Sequence, residues 1–385
     1  MEIIILVCSL LLISYFFDLI SVHIKIPSLF LLIILGFLLR FFFEQIGFEI
    51  ISLERSIIIL GTIGLILIVQ EAALELEFKK EKIPLILKAL FSSIFQLLFQ
   101  VGLFSFTFFM LFKYDLKSSL LNSIPISVIS SAVAISSVRN FKNFEKEFIA
   151  YESAFSDIAG IFLFDFIYFN EKFNLNIIKS ALSNIFFIII LSFFSILILV
   201  HLLNKIRHPV KFIPILLIVI SFYAIAKLYH LPALLFILFF GFSLSNINKF
   251  LWKKIENLNL EIEKYKSISF ELTYLIRSIF FIIFGFSFKL KEIFHFKTLP
   301  SVLISIIFIY LIRYLVISIL KINKEKILFI APRGLITIIL FFLIDEKFKI
   351  IFIDKIFILQ LTVFSIFLMF IETFKKEKVQ DLIDL

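Results

Sequence analysis

The chain has 385 residues, of which 61% are hydrophobic, and it carries a formal net charge of +9. A soluble domain is only about 45–50% apolar, so this composition excludes a water-soluble globule. The Lys and Arg residues form short clusters between apolar runs, as membrane topology predicts, and therefore do not indicate binding to nucleic acid. The only cysteine, Cys8, excludes an intramolecular disulfide.

Apolar runs bounded by charged residues or proline predict an all-α polytopic membrane protein with about 13 spans. We expect residues 1–385 to form a single transmembrane domain without a soluble regulatory domain. The linking span near 177–204 separates six spans over 3–169 from six over 211–374. The predicted spans lie near 3–22, 28–43, 55–76, 83–112, 119–139, 147–169, 177–204, 211–228, 231–247, 268–288, 298–320, 326–344 and 352–374.

Positive charges between the spans predict the orientation, because Lys and Arg accumulate on the cytoplasmic side. The alternate loops that begin after the first span, together with the C-terminal tail, carry more Lys and Arg than the other loops. We therefore expect a multi-pass protein of the inner (plasma) membrane, with its N-terminus outside and its C-terminus in the cytoplasm.

The third and tenth predicted spans end in similar ways. Residues 64–84 read GLILIVQEAALELEFKKEKIP and residues 279–300 read IFFIIFGFSFKLKEIFHFKTLP. In each, an apolar helix leaves through a mixed-charge segment to a proline that opens the next helix. The two copies have opposite orientation in the predicted topology. This pattern indicates inverted-topology repeats, which place a substrate site near the midplane of the membrane.

Ionisable residues at membrane depth are the informative ones, because a charge at the bilayer centre costs about 3 kcal/mol. Those near span ends can snorkel to the interface and have a structural interpretation. The candidates are Asp18, Glu71, Glu75, Lys88, Glu152, Asp157, Asp165, Arg277, Arg313 and Arg333.

The sixth predicted span contains YESAFSDIAGIFLFDF, which places Glu152, Asp157 and Asp165 on one apolar helix. Glu152 and Asp157 are separated by a rise of about 7.5 Å, so they need not share a proton. One can be paired structurally while the other exchanges ions. The alternative for Asp157 is a buried acid satisfied by a neighbouring hydroxyl, and Asp165 is either a pathway residue or a snorkelling acid.

ESAFSD, residues 152–157, resembles the glutamate-serine then asparagine-aspartate signature of sodium/proton exchangers of the cation:proton antiporter superfamily. Three segments occur where that family has its third span, its threonine-aspartate-proline stretch and its arginine-glycine span. These are GLILIVQEAALELEF, SSAVAISS at 130–137 and APRGLITIIL at 331–340. In addition, IYLIRYLVIS carries Arg313 where the family has a basic residue. The resemblance covers the whole chain in the family's order.

This resemblance implies that Asp157 binds the ion and carries the proton, and that Na⁺ binds at Asp157 only. Oxygen donors suit such a hard cation. Glu152 would pair with Arg313 across the core and fix two helices. The supporting ligands would be Ser130, Ser131, Ser153 and Ser156.

The resemblance also implies that Pro332, Arg333 and Gly334 lie where the twelfth span unwinds and crosses the fifth. The alternative for Arg333 is a side chain that snorkels to the cytoplasmic end. Arg277 has no assigned partner, and we group it with Asp165 as a possible pathway residue.

Two departures from the family's pattern affect these expectations. Ser131 and Ala132 stand at the family's aspartate and proline, which leaves the cation open and weakens the prediction of a helix break, although Pro125 lies upstream. Ser156 stands at the asparagine or aspartate before the carrier. One free carboxylate remains, which in the family is typical of electroneutral exchange.

We therefore expect a secondary antiporter that exchanges Na⁺, or else Li⁺ or K⁺, for protons by alternating access, as a homodimer among membrane lipids and without a cofactor. One alternative is a non-transporting or regulatory relative, motivated by Ser131. An intramembrane enzyme is disfavoured because the five histidines lie near loops and no His-Glu-x-x-His or paired-aspartate pattern occurs.

Overall fold

The computed structural model describes residues 2–24, 26–47, 54–76, 80–138, 143–170, 186–198, 212–229, 233–247, 258–322 and 327–383, with Phe141, Ser183 and Leu231. These described residues form helices and connecting turns, with no β-strand among them. The α-helices are α1 (Glu2–Ile24), α2 (Ser28–Gln45), α3 (Glu54–Glu75), α4 (Ile83–Met110), α5 (Leu116–Ser127), α6 (Ser131–Ser137), α7 (Asn143–Phe169), α8 (Phe186–Ile198), α9 (Phe212–Leu228), α10 (Ala233–Ser245), α11 (Leu258–Phe286), α12 (Leu299–Ile319), α13 (Leu335–Leu343) and α14 (Lys355–Ile383).

The helices follow the predicted spans, which confirms the all-α polytopic fold. Among the described residues, seven helices are long and apolar enough to cross a membrane, and four more are apolar but shorter. The linking span predicted at 177–204 contains α8, and most of its remaining residues lie outside the described part of the chain. Helices α5 and α6 together occupy the fifth span.

Helix α11 begins at Leu258, although its predicted span begins near 268. The added turns are charged and carry two ion pairs at i,i+3 spacing: Lys264–Glu261 at 3.3 Å and Lys266–Glu263 at 3.4 Å. Ion pairs at this spacing stabilise a helix in water, so the first turns of α11 do not need an apolar sequence. The hydropathy pattern therefore located the apolar part of this helix and missed its polar start.

The two segments that predicted the repeat have the same local structure. A 3₁₀ turn precedes α4 at Lys80–Lys82, and another precedes α12 at Leu290–Phe294. Each following helix has proline as its second residue, Pro84 and Pro300. Proline fits there because the first turn of a helix leaves its N–H groups without intrahelical acceptors.

Two predicted spans are interrupted helices, as expected for the core. Between α5 and α6 the backbone leaves the helix at residues 128–130, where Val128 and Ser130 are extended, and non-helical backbone at 330–334 precedes α13. Pro332 explains the second break, since proline provides no N–H and disfavours helical backbone at the residue before it. Only nine residues of the span predicted at 326–344 are therefore regular α-helix in α13.

The chain forms two compact units. In the first, α2 and α11 cross at two glycines: a Cβ atom on Gly36 would lie 2.3 Å from the Ile282 carbonyl oxygen, and one on Gly285 would lie 2.2 Å from that of Ile33. Membrane helices use small residues for such close contacts. The first unit comprises Met1–Thr62, Leu85–Asp157 and Leu275–Leu385, and the second comprises Ile63–Pro84 and Ile158–Tyr274.

Candidate ion-binding site

The two interrupted helices of the first unit cross through their backbones. The Ser130 N–H donates a hydrogen bond of 2.9 Å to the Pro332 carbonyl oxygen. A Cβ atom on Gly334 would lie 2.6 Å from Ser130 Oγ and 2.9 Å from Val133 Cγ2. A larger residue at position 334 would therefore force Ser130 and Val133 to shift from their present positions.

Helix α7 holds the break between α5 and α6 with two consecutive side chains. Ser156 Oγ accepts a hydrogen bond of 2.9 Å from the Ile129 N–H. Asp157 Oδ2 accepts one of 3.0 Å from the Ser131 N–H, and the Ser131 side chain also interacts with this carboxylate. Ile129 in the break and Ser131 at the start of α6 thus find on α7 the acceptors that a continuous helix would have provided.

Asp157 and Ser130 are 3% and 1% exposed, and each keeps an oxygen without a hydrogen-bond partner: Asp157 Oδ1 and Ser130 Oγ. A buried polar atom that lacks a partner costs about 1–3 kcal/mol, so it requires an explanation. A carboxylate oxygen of this kind can take up a proton or coordinate a hard cation. Ser153 differs, since its hydroxyl donates to the Ile149 carbonyl oxygen at 2.7 Å within α7.

Glu152, five residues before Asp157, has a full set of partners. Arg313 Nη2 lies 2.9 Å from Glu152 Oε2, and the two side chains are 0% and 1% exposed. Ser92 Oγ and Gln96 Nε2 donate to Glu152 Oε1 at 2.5 and 2.8 Å. Arg313 also donates from Nη1 to Gln96 Oε1 at 3.1 Å and from Nε and Nη2 to the Ile327 carbonyl oxygen. The two charges therefore neutralise each other within a closed hydrogen-bond network.

Arg333 is fully buried and is held by neutral groups. Its Nε donates to the Ile126 carbonyl oxygen at 2.7 Å and its Nη1 donates to that of Ala331 at 2.9 Å. Nη2 donates to Gln100 Oε1 at 2.9 Å, and Ser365 Oγ accepts from the backbone N–H at 2.9 Å. The guanidinium thus donates to one carbonyl in the last turn of α5 and to one in the non-helical segment before α13. It does not extend to the surface.

Asp165 and Arg277 do not join this cluster of contacts. Asp165 belongs to the second unit, where it interacts electrostatically with Lys227 and Tyr223 of α9. Arg277 is partly exposed, and no ion pair involves it within the described part of the chain. Their assignment as pathway residues remains a prediction.

Sequence reasoning missed the polar stripe of α4 and one hydroxyl of α14. Ser92, Gln96 and Gln100 recur every four residues in an apolar helix, and each is at most 1% exposed. That spacing is a signal in the sequence, because residues four apart share a helix face. Ser365 gave no comparable signal among the apolar residues of α14.

A buried carboxylate with an unpaired oxygen lies beside two crossing interrupted helices. Discontinuous helices at a midmembrane site are typical of secondary transporters. The fold and site therefore define a membrane transporter of the secondary active class.

The sequence matches the family model described as "Sodium/hydrogen exchanger, transmembrane" over residues 7–374. The chain belongs to the sodium/hydrogen exchanger family. Among curated protein sequences, none matches the chain.

Two solved structures share the fold over nearly the whole chain. The sodium proton antiporter MjNhaP1 from Methanocaldococcus jannaschii, at pH 8, is 19% identical with a TM-score of 0.67, over 97% of this chain and 96% of that one. An electron-microscopy structure of the same antiporter is 18% identical with a TM-score of 0.65, over 96% and 94% of the two chains. At this identity the likeness shows the fold.

Proposed function

We propose that the protein exchanges a monovalent cation, Na⁺ before Li⁺ or K⁺, for protons, with Asp157 as the carrier. The observation that supports this most directly is the buried, unpartnered Asp157 Oδ1, on the carboxylate whose other oxygen accepts from the Ser131 N–H. The preceding residue, Ser130, also has a buried and unpartnered Oγ. Family membership and the fold of a sodium proton antiporter support the same class of transport.

Exchange follows from competition for one carboxylate. Asp157 binds either a proton or a dehydrated cation, because both use the same oxygen. Ser130 Oγ and the Ser131 hydroxyl supply further oxygen ligands, whereas Ser156 and Ser153 serve as ligands only if they release the contacts they make with backbone. Moving the empty, charged site through the membrane is costly, which couples the two fluxes.

Alternating access requires that the site open to each side in turn. In our proposal the helices around Asp157 move as a body, and the Glu152–Arg313 pair keeps α7 and α12 together during that movement. We further propose a homodimer in the inner membrane, with the N-terminus outside and the C-terminus in the cytoplasm. Chemical cross-linking in native vesicles and cysteine labelling of the termini test these assignments.

The decisive experiment is a ΔpH-dequenching assay in inverted vesicles that contain the protein, with Na⁺, Li⁺ and K⁺ added in turn. We expect Na⁺ to dissipate the proton gradient at the lowest concentration. Vesicles without the protein provide the control. If no monovalent cation dissipates the gradient although the protein is folded and inserted, the proposal fails and the non-transporting interpretation, motivated by Ser131, replaces it.

A further inference from the structure

The polar stripe of α4 supports both buried arginines, but in two different ways. Gln96 contacts Arg313 and Glu152 together, so it joins a pair that is already neutral. Gln100 contacts Arg333, and its own Nε2 donates to the Ile309 carbonyl oxygen at 3.4 Å. Among the described residues no carboxylate forms an ion pair with Arg333. An amide therefore occupies the place where an acidic side chain would cancel the charge.

Arg333 and Asp157 contact the same break in the fifth span. Arg333 binds the Ile126 carbonyl oxygen on one side, and Asp157 binds the Ser131 N–H on the other. A guanidinium stays protonated in proteins, so the positive charge at this break is permanent. Charges interact over longer distances in a buried region than in water, so this charge opposes the binding of a cation on the other side of the break.

We propose that Gln100 is a positioning residue that fixes the Arg333 guanidinium at the helix crossing without neutralising it, and thereby sets the cation affinity of the Asp157 site. The inference rests on the proposed function. It assigns a specificity-determining role to a side chain that does not touch the ion. A site that must release its cation in every cycle benefits from such weakening, because ions have to leave as well as enter.

The test is Gln100→Glu, which preserves the size of the side chain and can still accept from Arg333 Nη2. The added carboxylate cancels the charge of Arg333, so the KM for Na⁺ should fall about tenfold while kcat changes much less. Na⁺ should also raise the melting temperature in detergent at about tenfold lower concentrations than in the wild type, since a ligand stabilises the state that it binds.

Two further variants separate the charge from the hydrogen bond. Gln100→Met keeps a similar size but removes the acceptor and adds no charge, so we expect kcat to fall with no decrease in KM. Ser105→Ala, on the same helix, removes a hydroxyl that contacts Ser123 Oγ at 2.7 Å and neither arginine. It should retain the wild-type KM. If Gln100→Met does not fold, Gln100→Glu alone decides.

The outcomes distinguish this inference from the proposed function. If the wild type exchanges Na⁺ for protons and Gln100→Glu keeps the wild-type KM and Na⁺ stabilisation, the inference is wrong and the function stands. An equal decrease of KM in Gln100→Met would also overturn it, because charge would not be the cause. If the wild type shows neither exchange nor stabilisation by Na⁺, both fail.

Discussion

The two buried carboxylates of α7 are five residues apart and have opposite surroundings. Glu152 accepts hydrogen bonds from Ser92 and Gln96 and forms an ion pair with Arg313. Asp157 is buried almost as completely, yet one of its oxygens has no partner. Burial alone therefore does not distinguish the two acids, but the completeness of their hydrogen bonding does.

This difference separates a structural charge from one that can exchange its partner. Removing either member of a buried, fully bonded pair leaves an uncompensated charge, so Glu152 and Arg313 hold each other in place. Asp157 can bind a proton or cation through Oδ1 while Oδ2 keeps its bond to the Ser131 N–H.

Replacing the exchangeable carboxylate should have the largest effect. Asp157→Asn preserves the shape of the side chain but removes the carboxylate that we propose as the carrier. Na⁺-driven proton flux in inverted vesicles should fall to the level of vesicles without the protein, with expression and melting temperature close to wild type.

The matched control is Glu44→Gln, which neutralises a partly exposed carboxylate paired with Arg40 at the end of α2. Its flux should remain near that of the wild type, because exposed ion pairs contribute little. Appreciable cation-driven flux in Asp157→Asn would refute the assignment of Asp157 as carrier.

Breaking the structural pair should mainly reduce stability. Glu152→Gln leaves Arg313 charged and buried, which should cost about 3–5 kcal/mol. The double variant Glu152→Gln, Arg313→Gln contains only neutral polar groups and should be more stable than the single one. Thermal unfolding in detergent measures both, and additive losses would mean that the two residues do not interact.

The helix crossing allows a smaller perturbation. Gly334→Ala places a Cβ atom 2.6 Å from Ser130 Oγ and 2.9 Å from Val133 Cγ2, so these side chains have to shift. Overpacking of this kind typically costs about 1–3 kcal/mol, and the exchange rate should fall because Ser130 belongs to the candidate site.

Gly102→Ala on α4 is the matched control, since a Cβ atom there meets nothing within 4 Å. It should leave exchange unchanged and stabilise the helix by up to about 1 kcal/mol. If both variants behave alike, close packing at the crossing is not what requires Gly334.

Hydropathy predicted the helices because each needs a long apolar run, and α12 lies within a residue or so of its predicted span at 298–320. Glu152, Asp157, Arg313 and Arg333 were recognised as candidates because they are ionisable residues in apolar spans. A charge at membrane depth is costly, so it indicates a structural or functional role. The resemblance then suggested that Glu152 faces Arg313, a contact that no single-helix pattern contains.

Uncharged polar residues were harder to predict. A glutamine in an apolar helix costs much less than a charge, so Gln96 and Gln100 did not stand out. The arginines that they contact lie more than 200 residues away in sequence. The role of Ser156 was equally hidden, because its acceptor function depends on the Ile129 N–H that only a broken helix leaves free.

The smallest predicted effect is the absence of a response to membrane potential. Within the described part of the chain, the charges around the crossing are the neutral Glu152–Arg313 pair, Arg333 and Asp157. Arg333 stays protonated, so in our proposal only Asp157 exchanges a proton for a cation. Ser131 and Ser156 stand where relatives carry further polar or acidic groups, and neither can titrate.

Replacing one proton on Asp157 by one Na⁺ moves no net charge, so exchange should be electroneutral. In proteoliposomes with a clamped K⁺ diffusion potential, the rate of the Na⁺-driven pH change should be the same for either sign of the potential. Asp157→Asn liposomes correct for leaks of protons driven by the potential itself. A clear acceleration by one polarity would mean that a second titrating group moves with the site, and Glu152 would be the first residue to test, because it would then have to leave Arg313 during the cycle.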